Sequence, residues 1–278
     1  MAETPAPERF EADAGGLTIA GETAGDGPDV ILTHGLTATR HYTVMGSKAL
    51  PRAGFRLSTF DARGHGESSP APEPSAYEYR DLVEDLSAVL DHLELDEAAI
   101  GGASMGAHTA MAFALAYPER VTALVQITPA YDGKPREGSE ELARWDRLAD
   151  GLERGGVDGF LDAYDPQVED RFRETVLTVT RQRLERHRHL HAVADALRVV
   201  PRSLAFEGLE ELEAVEVPTL VVASRDDADP GHPYAVAEAY AERLPNARLV
   251  SEEPGKSPLA WQGARLSRVI AEFLRDAG

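Results

Sequence analysis

Apolar positions along this chain change period several times, and the changes divide it into segments. Short apolar runs predict strands at residues 8–13 and 17–23, then at "DVILTH" (29–34), "FRLSTFD" (55–61), "AAIGGAS" (98–104) and "VTALVQITP" (121–129). Between two of them, "YEYRDLVEDLSAVLDHLEL" (77–95) sets Leu82, Leu86, Val89, Leu90 and Leu93 at helical spacing, a single stripe to lay against a sheet. Strands alternating with helices predict an α/β fold: a mostly parallel sheet flanked by helices.

After residue 130 the strand signal stops. From 134 to 213 the pattern is helical throughout, rich in Arg and Glu, with glycines at 151, 155, 156 and 159. Strand runs resume at "TLVVAS" (219–224) and "ARLVSE" (247–252), with helices expected over 234–244 and 259–276. The expected organisation is a core domain of residues 1–133 and 214–278, interrupted by a helical cap over 134–213. Open α/β sheets bind ligands at their carboxyl edge, where such an insertion would sit.

Composition narrows the chemistry. The 278 residues include no cysteine, which excludes disulfides, thiolate catalysis and cysteine-bound metals. The start, "MAETPAPERFEADAGG", has acids and prolines where a signal peptide needs basic residues and an apolar run, and no run of about eighteen apolar residues occurs. A cytoplasmic protein with no membrane partner is expected. The net charge of -20 argues against a nucleic-acid partner. One stretch runs the other way: "RQRLERHRHLH" (181–191) is basic and expected to be helical. A solvated helix face is its plain reading, and a patch attracting an anionic substrate or partner is the sharper one. His187 and His191 stand four apart there, yet no acidic third ligand completes a metal site.

The chemistry concentrates where strands end. "GGASMGAHTAM" contains Gly102-Ala103-Ser104-Met105-Gly106, a G-x-S-x-G between a predicted strand and a predicted helix. That spacing suits a sharp, strained turn that exposes a nucleophilic serine, with small neighbours letting strand and helix approach. "ILTHGLTAT" ends another strand in His34-Gly35-Leu36; His34 reads as a structural residue fixing the loop. "DARGHGES" (61–68) lacks a P-loop lysine and reads as a hydrogen-bonded turn at the pocket's edge. "VVASRDDADPGHPY" crowds Asp226, Asp227 and Asp229 into one loop, and His232 follows, just before a proline suited to a helix's first turn. His108, one turn beyond Ser104, reads as a buried structural histidine.

Together, "HGL", "DARGHGES", "GASMG", the helical insertion and the "SRDD" loop resemble the α/β-hydrolase superfamily across essentially the whole chain. The resemblance implies Ser104 as nucleophile, Asp227 as the acid, and the backbone N–H groups of Leu36 and Met105 as an oxyanion hole. No metal and no organic cofactor is implied; the partner is a small-molecule substrate, and oligomeric state is not readable. The resemblance also implies a histidine after the last strand. This chain has Gly255-Lys256 there, and no histidine follows His232.

Three arrangements answer the missing histidine. His232 could act as base, its second nitrogen held by Asp227, Asp229 or Asp132. Lys256 could serve, but a lysine base must be neutral, and Asp227, Glu252 and Glu253 would favour its cation. Alternatively the scaffold binds a small molecule and turns it over slowly or not at all. The expectation carried forward is a serine hydrolase of a small ester or related acyl compound, with a displaced base.

Overall fold

The computed structural model of the chain describes residues 6–133, 140–225 and 229–278. Eight strands form one sheet: β1 (Glu8–Ala14), β2 (Leu17–Ala24), β3 (Asp29–Thr33), β4 (Arg56–Phe60), β5 (Ala98–Ala103), β6 (Val121–Ile127), β7 (Thr219–Val222) and β8 (Ala247–Val250). Their spatial order is β1-β2-β4-β3-β5-β6-β7-β8. The first two strands are antiparallel, and β2 also meets β4 antiparallel; every later neighbour pair, from β4–β3 to β7–β8, is parallel. Gly15 and Gly16, both at positive φ, close the β1–β2 hairpin in two residues. Paired positive φ values give a turn whose twist matches that of the strands, and side chains rarely tolerate them.

The helices are α1 (Ala49–Arg52), α2 (Tyr79–His92), α3 (Met105–Ala116), α4 (Glu140–Ala163), α5 (Asp170–Leu184), α6 (Leu190–Val199), α7 (Tyr234–Arg243) and α8 (Gly263–Ala277). Successive strand residues serve opposite faces of the sheet. Val30 and Leu32 of β3 join Leu50 of α1 and Leu266 and Ile270 of α8, whereas Ile31 joins Leu86 and Leu90 of α2 and Met111 and Phe113 of α3. Each such fully buried side chain contributes about 1.5–3 kcal/mol by leaving water. The stripe read from the sequence is the buried face of α2, where Leu82, Leu86, Val89 and Leu90 are all enclosed.

The chain's path creates a crevice. From β3 it leaves by α1, on one face, to reach β4; from β5 it leaves by α3, on the other. Adjacent strands β3 and β5 therefore send their exits apart, the switch point at which open α/β sheets take ligands. His34-Gly35-Leu36 stands at the end of β3 and Ser104 at the end of β5.

Between β6 and β7 the described chain is helical only: α4, α5 and α6, followed by 3-10 turns at Val200–Arg202 and Leu209–Ala214. Two expectations need correction. The basic run is not one helix, since α5 ends at Leu184 and α6 begins at Leu190, so His187 and His191 are not a turn apart on a common face. The final helix starts at Gly263, after a 3-10 turn at Leu259–Trp261. Gly263 sits so close to the Val44 carbonyl that a Cβ would lie 2.2 Å from its oxygen, a backbone contact that fixes where the helix begins. No helix among the described residues is long and apolar enough to cross a membrane.

Candidate active site

Ser104 occupies a strained turn. Its φ of 53° and ψ of -115° lie where side chains are rarely found, at the junction of β5 and α3. Tight packing holds it there. A Cβ on Gly102 would fall 2.5 Å from the Gly106 carbonyl carbon, and one on Gly106 would fall 2.5 Å from Thr33 O, so both glycines permit α3 to ride against the end of β3. Ser104 N donates to Ile127 O at 2.9 Å, tying the turn to β6. Its hydroxyl makes no hydrogen bond to any described residue.

The β3 loop lies directly against it: a Cβ on Gly35 would be 3.4 Å from the Ser104 Cβ. Buried histidines shape this loop. His34 Nδ1–H donates to Gly35 O at 2.8 Å, and its Nε2 accepts the Ala62 amide at 3.0 Å. Burial, with His65 alongside, brings its pKa down to about 3, so the ring is neutral. His65 sets Nδ1 2.9 Å from Arg63 O and Nε2 2.7 Å from Leu36 O. With the Leu36 carbonyl turned to His65, the Leu36 N–H finds no acceptor among the described residues, and Met105, first in α3, has no helical acceptor for its own. The N–H groups of Leu36 and Met105 are thus carried by the two segments that meet at Ser104, and neither is bonded to a described residue. The sequence reading assigned "DARGHGES" a holding role but did not single out His65.

That turn is itself anchored. Asp61, fully buried, accepts the Arg40 amide at 2.8 Å and the Glu67 amide at 3.0 Å and pairs with the Arg40 guanidinium. Arg63 forms a two-pronged pair with buried Asp85 of α2, at 2.8 and 2.7 Å. His108 is fully committed to structure: its Nδ1 meets Tyr79 Oη at 2.9 Å, while its Nε2 accepts the amides of Ala130 and Tyr131 at 2.9 and 3.1 Å.

The loop after β7 carries a histidine–carboxylate pair. His232 Nδ1–H donates to Asp229 Oδ1 at 2.6 Å, and the backbone repeats the link, His232 N to Asp229 O, at 3.2 Å. This leaves His232 Nε2 without a partner among the described residues. Asp229 is nearly buried, and its Oδ2 is unbonded. Asp227 lies outside the described residues; the carboxylate on His232 is Asp229. The pair follows β7, two strands from β5, a span of about 10 Å at normal strand spacing. Lys256 follows β8, one strand further out. It is exposed and forms no ion pair with a described residue, while buried Glu252 bonds the Arg225 amide, and the Leu259 amide at 3.0 Å, holding the β8 loop to the β7 loop.

The insertion touches the same loops. His187 Nδ1 accepts the Gly66 amide at 2.9 Å and its Nε2–H donates to Thr37 O at 3.2 Å. Both nitrogens are thus engaged by backbone, and burial beside His65 brings its pKa down to about 3. Leu36 packs on the insertion's apolar cluster of Leu148, Leu152, Phe160, Leu184 and Leu197, with Trp145 and Tyr164 at its edge. Arg183 of α5 lies with its Cζ 5.5 Å from the centre of the Tyr42 ring, and its Nε is buried and unbonded. Composition could not separate Arg183 from its basic neighbours, because only its inward direction distinguishes it.

A model of the alpha/beta hydrolase fold matches residues 28–205 of this chain. A 2-hydroxy-6-oxononadienedioate/2-hydroxy-6-oxononatrienedioate hydrolase of Burkholderia vietnamiensis is 30% identical over 237 residues, 82% of this chain and 79% of that one. A Bacillus subtilis protein provisionally assigned as 2-succinyl-6-hydroxy-2,4-cyclohexadiene-1-carboxylate synthase is 27% identical over 263 residues, 90% of this chain and 93% of its own. Among solved structures, a thermophilic esterase from Thermogutta terrifontis with malate bound superposes at a TM-score of 0.79 and 27% identity, over 97% of this chain and 99% of that one.

Proposed function

Since the chain belongs to the alpha/beta hydrolase fold family, we infer that it hydrolyses a small ester or related acyl compound through an acyl-enzyme on Ser104. Its relatives include hydrolases and esterases, which supports a hydrolytic function. The observation that carries the finer reading is the His232–Asp229 pair, held at 2.6 Å with Nε2 left unspent.

In this reading Ser104 Oγ attacks the acyl carbon and passes its proton to His232 Nε2. Asp229 holds the ring's tautomer and stabilises the cation through Nδ1–H. The N–H groups of Leu36 and Met105 receive the oxyanion. His232 then returns the proton to the leaving oxygen, and a water, activated the same way, releases the acid and regenerates Ser104. Lys256 has no part, because an exposed side chain lacks the desolvation on which a lysine base depends. In the same reading the insertion between β6 and β7, helical in its described part from Glu140 onward, caps the crevice and shapes the acyl pocket.

One observation favours a second reading, a small-molecule binder without turnover: no hydrogen bond joins Ser104 Oγ to a described base. Catalytic contacts commonly tighten only when substrate binds, so the hydrolase reading is preferred. Intact mass after incubation with a fluorophosphonate probe decides between them. A single adduct that disappears in Ser104→Ala is the expected result; folded protein that takes up no probe would establish the binder.

A further inference from the structure

The insertion carries many arginines, and several on its surface find carboxylates. Arg181 meets Asp158 at 2.6 Å, Arg198 meets Asp150 and Glu153 at 2.8 Å, and Arg202 meets Asp146 at 2.8 Å. Arg183 does not. Its guanidinium makes no hydrogen bond or ion pair with a described residue, although its Nε is removed from water. The chain holds 48 acidic residues against 28 basic ones, so acids are not scarce. Leaving a buried guanidinium donor without an acceptor is costly, and an anion from solution would remove that cost.

Arg183 also stands in the right place. The next residue, Leu184, is buried in the cluster against which Leu36 packs. Four residues on, His187 bonds Thr37 O and the Gly66 amide, fastening this end of α5 to the oxyanion loop. Tyr42 backs the guanidinium at 5.5 Å. A further donor in the insertion, Trp145 Nε1, is likewise buried without an acceptor. Asp229 is close enough for its charge to act on Arg183, yet its Oδ1 is committed to His232 and no ion pair forms.

We propose that Arg183 binds a free carboxylate of the substrate, so that the acyl compound taken by this site is a half-ester or another carboxylate-bearing acyl compound. A guanidinium fork matches a carboxylate in shape and charge. A single free arginine beside an aspartate suits a monoanion better than a doubly charged phosphate. The catalytic arm of this inference rests on the hydrolase reading; the binding arm does not.

Both arms are testable. In Ser104→Ala protein, which cannot form an acyl-enzyme, calorimetric titration with succinate is expected to show binding that Arg183→Gln weakens at least tenfold and Arg183→Lys weakens less. In active protein, the ratio of kcat/KM for 4-nitrophenyl hydrogen succinate to that for 4-nitrophenyl butyrate is expected to fall at least tenfold on Arg183→Gln, with circular dichroism confirming the fold. A ratio that moves less than twofold, succinate binding indifferent to Arg183, or inorganic phosphate binding more tightly than succinate overturns the proposal. Failure to cleave either ester, together with Arg183-dependent succinate binding, upholds the carboxylate site and removes the Ser104 hydrolase reading instead.

Discussion

His187 Nδ1 accepts the amide N–H of Gly66 across 2.9 Å, joining the insertion to a loop of the sheet 121 positions earlier. The contact works only while the ring is neutral, since a proton on Nδ1 removes the acceptor. Burial keeps it so, with a pKa of about 3, and His34 is held at about 3 by the same cause. Both values lie below the ordinary 6.5, so the unfolded chain binds protons that the folded chain refuses between pH 6.5 and 3. Stability therefore falls as pH falls through that window, by about 1.4 kcal/mol per pH unit for each ring.

The urea midpoint should accordingly drop between pH 6 and pH 4. His187→Gln, which can still accept from Gly66 and donate to Thr37, should show a shallower slope than the parent. Equal slopes would mean that His187 does not titrate with unfolding.

Backbone strain at Ser104 predicts an effect independent of chemistry. A residue held in a sparsely populated conformation costs about 1–3 kcal/mol, and glycine escapes most of that cost. Ser104→Gly should therefore be more stable than Ser104→Ala by about 1 kcal/mol, read from paired denaturant curves. The reverse order would show that the turn is not strained.

The His232–Asp229 pair predicts a graded loss. His232→Ala should lower kcat/KM for an activated ester by about 10²–10⁴, the usual contribution of a general base, and slow fluorophosphonate labelling in parallel. Asp229→Asn should lower kcat as well. Wild-type labelling rates in His232→Ala would show that the base lies elsewhere.

Lys256 predicts the opposite. Its side chain is exposed and unpaired among the described residues, so Lys256→Ala should label with fluorophosphonate within about threefold of the parent, as for other surface substitutions. Loss of labelling would reinstate a lysine base.

The Arg63–Asp85 pair is enclosed on both sides, and removing one partner strands the other. Asp85→Ala should cost about 3–5 kcal/mol. Replacing both residues with apolar side chains of similar volume should recover much of it, as a double-mutant comparison by thermal unfolding would show.

Much of this architecture is legible along the chain because it depends on local periodicity. All eight strands and the Leu82–Leu90 stripe follow from runs and spacings, since a sheet buried on both faces needs continuous apolar segments. Ser104 is legible for a related reason: a strained strand-to-helix turn needs glycine two residues to either side. Basic residues 181–191 misled as one helix, because helical propensity does not register that residues 185–189 turn back to bond Gly66 and Thr37.

Sequence by itself determined the order of strands and helices, the strained turn at Ser104 and the presence of lysine at position 256, all carried by residue types at short range. Tertiary structure decided which acid meets His232, which histidine pins the Leu36 carbonyl, and which of many arginines turns inward unpaired. The first turns on how one loop folds back over three residues; the other two depend on groups brought together from segments tens of residues apart, and burial, not composition, gives those their chemistry.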